Sequence, residues 1–423
     1  MNESGLTARR MQNAEWLTQG SLARLLGVLS GDGEEARVVG GAVRNALMNL
    51  PPGDIDIGTT ATPDEVIRRV TAAGFKAVPT GIDHGTVTVV IAGHPFEATT
   101  LREDVETFGR HATVRFGRDW KRDAERRDFT MNALTLSPDG TVHDHVGGLA
   151  DLERRRVRFI GDAATRIRED YLRILRFFRF HAAYGEGPLD PAGFSAALAE
   201  RSGLAMLSRE RVRAELLKLV AARRAVEVVQ ALADSGFAQR FLGGVIELGR
   251  FARAVGFEHE EGGHPDPVHR LAALAVMVAE DADRLRDLLR LSGAEHARLA
   301  AYAGVLARMK SRAQALDAAA VRRFVAEAGI ATVRDVLTAT EGEPRPRLTG
   351  DGLAAYRRFA AGEEAAPQFP LKGADLVRRG IAKGPEVGLR LERARAAWLA
   401  EGCPLDAAAT ARLLEVALAP SLT

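Results

Sequence analysis

Asp54 and Asp56 are two carboxylates separated by one apolar residue in the run Asp54-Ile55-Asp56-Ile57. Carboxylate, apolar, carboxylate, apolar is strand alternation. Strand side chains repeat every two residues, so both acids should share one face while Ile55 and Ile57 bury on the other. Adjacent carboxylates repel each other unless a cation lies between them. Hard oxygen ligands suit magnesium, which keeps several waters and completes its shell with substrate phosphates. Just upstream, Val38 and Val39 lead into Gly40 and Gly41, with Arg44 one turn further on. Such glycines bring bare backbone N–H groups up to an anion at a helix start. Each motif alone has an ordinary reading, the first as a solvated strand edge and the second as a turn. Together they read as a metal clamp beside a phosphate cradle.

Two further stretches extend this chemistry. In Arg126-Arg127-Asp128-Phe129-Thr130-Met131-Asn132 a guanidinium pair offers donors for phosphate, and Asp128 offers an acceptor for a ribose hydroxyl. Asn132, four residues beyond Asp128, shares its face if the segment is helical. Further on, Asp170, Arg173, Arg176 and Arg179 recur every three residues, laying an acid and three bases along a slowly rotating helical stripe. Leu172, Leu175 and Phe178 supply the buried side. A carboxylate and a guanidinium one turn apart can present an acceptor and forked donors to the Watson–Crick edge of a base. The plain alternative is a salt-bridged amphipathic helix. Glu97 is a charged residue inside an otherwise strand-like segment: either a third carboxylate for the metal or the attacking hydroxyl, or a solvent-facing strand residue.

The elements that must carry these groups can be read around them. Residues 13–29 read as an amphipathic helix packing under a sheet, and Thr62 with Pro63 as a helix start. Residues 75–79, 86–91 and 95–100 read as three short strands, and 135–146 as a hairpin about Asp139-Gly140. Residues 102–123, dense in charge and including Gly109, Arg110 and His111, lack an apolar period and read as a mobile surface loop, with His111 solvated. Ser208 opens a helix that scaffolds the one before it. The remainder is helical and rich in Ala, Leu and Arg, with its clearest linker at 342–352 around Glu343-Pro344-Arg345-Pro346-Arg347. Near the C-terminus, Lys372 precedes a Gly, and Lys383-Gly384-Pro385 places free N–H groups at a helix start, as a site for a nucleic-acid phosphate or an ordinary cap.

The 423 residues exceed the usual size of one core, so two to four domains are expected. Apolar content of 46% with 27% charged residues is ordinary globular composition, and a net charge of +2 argues against nonspecific coating of nucleic acid. A single cysteine, Cys403, forbids an intramolecular disulfide and disfavours a cysteine-rich zinc site. No apolar run approaches a membrane span and the first residues lack a signal-peptide core, so a soluble cytoplasmic protein with no membrane partner is expected. His143-Asp144 lacks the helical partners of a metal phosphohydrolase and is set aside.

The motif blocks resemble those of the class II tRNA nucleotidyltransferase (CCA-adding enzyme) and bacterial poly(A) polymerase superfamily: GGxVRD followed by DxD, then RRDFTxNAL, then EDxxRxxRxxRF. One position departs, Asn45 standing where the family has Asp. Residues 80–86 resemble the CCA-adding version, and the resemblance is dense over 37–218 and thinner to the C-terminus. It implies an α+β protein: an N-terminal nucleotidyltransferase head with a small mixed β-sheet (1–146), then an all-helical neck (147–245), body (246–343) and RNA-binding tail (344–423). Asp54 and Asp56 are implied to hold Mg2+, with Glu97 as the third acidic residue of the catalytic set. Gly40, Gly41, Arg44 and Asn132 fall in the nucleotide-binding blocks. Arg127 is implied to contact the triphosphate and Asp128 the ribose. Asp170 and Arg173 are implied to template the incoming base, with Arg176 and Arg179 serving base or phosphate. Residues 102–123 match a flexible loop that helps switch nucleotides, and Lys372, Lys383 and Gly384 an RNA-gripping tail. The implied activity is template-independent addition of the 3′-terminal CCA to tRNA from CTP and ATP. Addition of A alone, a bacterial poly(A) polymerase and a non-catalytic RNA-binding module remain as alternatives, and the oligomeric state is open between monomer and homodimer.

Overall fold

The apolar run that leads into Gly40 forms a strand, and the acids that follow lie at the head of the next one. The computed structural model describes residues 9–11, 15–108, 111–260 and 262–419. Asn13, Gly109 and Arg110, which figure in the sequence reading, lie outside them. The chain divides into two units, Met1–Val228 and Val229–Thr423.

In the first unit, eight strands form one mixed sheet: β1 (Arg9–Arg10), β2 (Ala36–Val39), β3 (Asp56–Thr59), β4 (Lys76–Gly81), β5 (Thr86–Ile91), β6 (His94–Thr100), β9 (Thr135–Leu136) and β10 (Thr141–His143). Two others, β7 (Arg102–Phe108) and β8 (His111–Phe116), pair only with each other. The order across the sheet is β1-β10-β9-β2-β3-β6-β5-β4. Every pairing is antiparallel except β3 with β6, whose parallel register sets Asp56 beside Glu97. The expected strands and the 135–146 hairpin are present. The expected loop is not: Arg102–Phe108 and His111–Phe116 pair as a β-ribbon and Trp120–Glu125 is a helix. Their backbone is paired by hydrogen bonds that need no apolar period in the sequence. The amphipathic segment near the N-terminus is also divided, into Glu15–Thr18 and Gly20–Leu29, whose Leu17, Leu22, Leu25, Leu26 and Leu29 are buried.

The helix Leu172–Tyr184 has two chemical faces. Its Ile174, Leu175, Phe177 and Phe178 are fully buried. Phe177 stacks on Phe159 with ring centroids 5.4 Å apart, and Phe159 lies 4.9 Å from Phe129. Burying side chains of this size stabilises the fold by about 1.5–3 kcal/mol each. The same packing brings the segment holding Asp128 against the helix that holds the arginines.

The regular elements described in the second unit are all helices, joined by turns and loops that include one bridge between Leu316 and Leu348. Its longest helix, Ala318–Ala339, is broken by Gly329 at φ 78°. A separate core near the C-terminus gathers Leu371, Leu376, Trp398, Cys403 and Leu413. Lys372, Lys383 and Gly384 are exposed; Lys372 precedes the short helix Gly373–Val377 and Gly384 precedes Pro385–Ala400. No described helix is long and apolar enough to cross a membrane.

Candidate active site

One cavity of about 700 Å3 in the first unit is lined by Gly40, Gly41, Arg44, Asp54, Asp56, Arg127, Asp128, Asn132, Asp170, Arg173, Arg176 and Arg179. All three sequence blocks therefore meet, although up to 139 residues separate Gly40 from Arg179. Only Glu97 of the expected catalytic and nucleotide-binding set is absent from the lining. The cavity volume falls within the ~300–1,000 Å3 typical of small-molecule sites. Seven cationic side chains, counting Arg126 and Lys218, face four carboxylates, a balance suited to a polyanion.

The acids stand at the strand entrance. β3 begins only at Asp56, and Asp54 occupies the bend before it, so the expected two-acid alternation is replaced by a bend and a strand start. The Pro51-Pro52-Gly53 turn, with Gly53 at φ 71°, delivers the chain there. Desolvation, then the Glu97 carboxylate, push the Asp56 carboxyl above its ordinary range; Arg127 pulls the other way and Asp54 adds to the rise. Among the described residues no three His, Cys, Asp or Glu side chains are grouped closely enough to hold a metal ion by themselves. Glu97 is a neighbour of Asp56 in register rather than part of a finished cage.

Gly40, at φ 71°, turns the chain from β2 into the helix Gly41–Leu47. The conformation favours glycine, and a Cβ here would lie 3.2 Å from Arg127 Nη1, so the guanidinium would have to give by a few tenths of an ångström. The expectation of a bare Gly40 N–H is corrected, since that group donates to the Leu134 carbonyl at 3.1 Å. Free backbone donors belong instead to the first turn of the helix that follows.

Arg44, on that helix, is buried and donates to Asn132 Oδ1 at 2.6 Å, to Asn45 Oδ1 at 2.8 Å and to the Tyr184 hydroxyl at 2.8 Å. Its guanidinium also lies 3.9 Å above the Tyr184 ring. Burial holds its pKa below the ordinary arginine value, with Tyr184 opposing. Asn45 in turn donates through Nδ2 to the Pro51 carbonyl at 3.1 Å. The residue that departs from the family pattern thus joins the cavity arginine to the turn before Asp54.

Asn132 reaches Asp128 by a route other than the expected helix. Thr130–Asn132 is one 3-10 turn, and residues 128–130 pair with 158–160 through a bridge at Phe129 and Phe159. Asn132 Nδ2 still donates to Asp128 Oδ1 at 3.0 Å, and Arg176 donates to Asp128 Oδ2 through Nε at 2.8 Å and Nη2 at 2.6 Å. Burial would raise the Asp128 pKa, but Arg176, Asn132 and the Phe129 N–H hold it below the usual carboxylate range. Arg127 is steadied by Asp123, with Nη2 at 3.1 Å.

On the helix Leu172–Tyr184, Arg173 is held by Glu169 and the Arg166 carbonyl and Arg179 by Glu215, while Asp170, extended just before that helix rather than on its stripe, is held by Arg211 at 2.6 Å. Arg211 and Glu215 belong to the helix Arg209–Val220, which scaffolds its neighbour through charge as well as packing. The sequence reading missed Tyr184, Phe180 and Lys218 as lining residues and named Arg126 only as half of the guanidinium pair. Phe180 and Tyr184 continue the stripe at helical spacing, and Arg126 adjoins Arg127. Lys218 has no local signal, because tertiary packing alone brings it in.

This sheet, with carboxylates at one strand head and arginines opposite, has the organisation of a nucleotidyltransferase head, and the family model described as the Poly A polymerase head domain matches residues 36–158. The mitochondrial CCA tRNA nucleotidyltransferase 1 of Mus musculus is 34% identical over 408 residues, spanning 95% of this chain and 92% of its own. The CCA-adding enzyme of Geobacillus thermodenitrificans is 40% identical over 234 residues, 53% of this chain and 55% of its own. Among solved structures, the Bacillus stearothermophilus CCA-adding enzyme in complex with CTP matches with a TM-score of 0.70 at 27% identity, covering 96% of this chain and 98% of its own. The chain belongs to the CCA tRNA nucleotidyltransferase family.

Proposed function

We propose that the protein adds the 3′-terminal CCA to tRNA, using CTP and ATP, without a nucleic-acid template. The observation that carries this reading is the single cavity in which Asp54 and Asp56 face the arginines of two other sequence blocks. Relatives named as CCA tRNA nucleotidyltransferases over most of their length support it.

Nucleotidyltransferases of this family are generally metal-dependent. The donor set fits a hard divalent cation: two carboxylates, the Asp56 pKa raised by burial, then by Glu97 and least by Asp54, too few to complete a shell and so leaving places for water and phosphate oxygens. Asp54 and Asp56 hold magnesium in this reading, which when bound lowers the pKa of the RNA 3′-hydroxyl and neutralises triphosphate charge. Glu97 stands by as a third acid. Arg127, steadied by Asp123, takes the triphosphate beside the first turn of the helix Gly41–Leu47. Asp128 and Asn132 face the ribose, with Arg44 holding Asn132. Asp170 and Arg173 present an acceptor and a donor fork to the base edge, and Arg176 and Arg179 complete the wall. The residues thus fix nucleotide and hydroxyl for in-line attack at the α-phosphate, so most of the catalysis is positioning and charge stabilisation.

The division into head (1–146), neck (147–245), body (246–343) and tail (344–423) belongs to the same proposal, as do Lys372, Lys383 and Gly384 as RNA contacts and the cytoplasm as the compartment. The test incubates the protein and magnesium with a tRNA lacking its last three nucleotides, or one ending in CC, with CTP, ATP or both, and sequences the 3′ ends. CCA made only with both nucleotides supports the reading. Single adenosines on CC ends without use of CTP, or a long A tail, would replace it with an A-adding or poly(A)-forming activity.

A further inference from the structure

Arginines of the second unit commonly face an acid. Arg250, Arg253 and Lys310 converge on Glu343 at 2.8, 2.7 and 2.7 Å, and Arg298 holds Asp266 at 2.7 Å. Two residues beyond Glu343 this pattern stops. Arg345 and Arg347, with Arg312, line a cavity of about 210 Å3 that includes Gln314 and Pro344 but no carboxylate. The Nε of Arg312 is buried without a hydrogen-bond partner among the described residues. Arg347 donates through Nε to the Pro344 carbonyl at 3.1 Å, which fixes the guanidinium and leaves its terminal amines for another acceptor.

The cavity is framed before anything binds. Leu316 N–H donates to the Arg347 carbonyl at 2.7 Å, and Thr349 N–H donates to the Leu316 carbonyl at 3.0 Å. These bonds tie the segment after the helix Gly293–Ser311 to the one before Gly350–Ala360. A Cβ at Gly352 would fall 2.1 Å from the Leu316 carbonyl oxygen, so glycine permits the close seating of the second segment.

Three guanidiniums around one void repel one another, and arginine does not relieve this by losing a proton. An anion relieves it, and the guanidinium fork matches phosphate oxygens. The volume lies below the ~300–1,000 Å3 of small-molecule sites, leaving room for a phosphate with its waters rather than a nucleotide. A site that takes phosphate without base or sugar positions a strand without reading its sequence.

We propose that Arg312, Arg345 and Arg347 hold one backbone phosphate of the RNA substrate. This rests on the tRNA reading above. The experiment uses the full chain with Arg345→Gln and Arg347→Gln combined, and a control of equal charge loss at two exposed arginines outside both the cavity and the tail, Arg240→Gln with Arg334→Gln. Binding of tRNA lacking CCA is followed by fluorescence anisotropy across a salt series, beside single-turnover C addition at saturating RNA. The expected result is a plot of log affinity against log salt that is less steep by about one for the cavity variant, with the control and the saturated rate unchanged. A wild-type slope in the cavity variant, or an equal change in the control, overturns the proposal. So does a shift of the wild-type melting temperature by inorganic phosphate that the variant loses while its RNA binding stays intact, which would assign the cavity to a free anion. A wild-type protein that neither binds nor extends tRNA sinks the function reading and the cavity assignment together; one that extends tRNA with no effect of the cavity variant sinks only the latter.

Discussion

The carboxylate of Asp170, an extended residue just before the helix Leu172–Tyr184 and so outside the expected helical stripe, is bonded to Arg211 at 2.6 Å rather than to the Arg173 guanidinium in the first turn of that helix. The acid and the arginine proposed to face the incoming base are therefore held by separate partners, with Glu169 and the Arg166 carbonyl securing Arg173. Arg211→Ala frees the Asp170 carboxylate without touching Arg173. The expected result is a loss of roughly tenfold in discrimination between nucleotides, about 1.4 kcal/mol, with RNA affinity unchanged. Competition of CTP, ATP, GTP and UTP for one tRNA measures it, and equal losses for all four would remove Asp170 from base selection.

Asp54→Ala and Asp56→Ala each delete one of the two cavity carboxylates at the head of β3. Transfer should fall by about 1,000-fold or more, since several kcal/mol of charge stabilisation go with the acid. Circular dichroism melting should stay near that of the wild type. Wild-type-like turnover in either variant would refute the metal assignment.

The Asp128–Arg176 pair makes a statement about acid stability. Asp128 has a folded pKa below its unfolded value of about 3.9, so its contribution is present above that pH and is lost as pH falls through the folded pKa. Asp128→Asn should cost about 2 kcal/mol at pH 7, less than a fully buried pair because the Arg176 side chain is 30% exposed. Denaturant midpoints of the two proteins should converge as pH drops below about 4. A gap independent of pH would mean that the carboxylate charge contributes nothing.

At Gly40 the backbone conformation and the Arg127 contact coincide. Gly40→Ala should destabilise the protein by about 1–3 kcal/mol and raise the nucleotide KM by displacing Arg127, readable from thermal melts and initial rates. A changed melt with an unchanged KM would confine the glycine to folding.

Asn45 tests the link between cavity and turn. Asn45→Ala removes an acceptor from buried Arg44, worth about 1.5–3 kcal/mol for a charged donor, and should raise the nucleotide KM at least tenfold. Asn45→Asp keeps that acceptor but gives up the donor to Pro51, so a smaller change is expected. The order of the two effects in steady-state kinetics checks which bond matters.

Much of the site was legible because its parts are local in sequence. Gly40 with Gly41, Asp54 with Asp56, Arg127 with Asp128, and the three-residue spacing from Asp170 to Arg179 each announce themselves within one turn or strand. Residues 102–116 were misread because their strands are rich in charge and lack alternation, so pairing of β7 with β8 leaves little trace in hydropathy. The Gly40 N–H was misassigned because its partner, Leu134, lies far along the chain. Lys218, Arg211 and Glu215 escaped assignment to the site for the same reason: helix-on-helix packing, not spacing, brings Lys218 to the cavity and sets Arg211 and Glu215 against Asp170 and Arg179 behind its lining.

The helix Leu172–Tyr184 carries its contacts to the nucleotide cavity and its contacts to the aromatic core on different sides of one cylinder. Phe177 and Phe178 can keep the helix docked while Arg173 is exchanged, whereas Arg176 and Arg179 also neutralise the buried carboxylates of Asp128 and Glu215. Substrate preference can thus drift by point changes at Arg173 without a detour through misfolded ancestors, and a library at that position searches nucleotide choice on a scaffold that stays assembled.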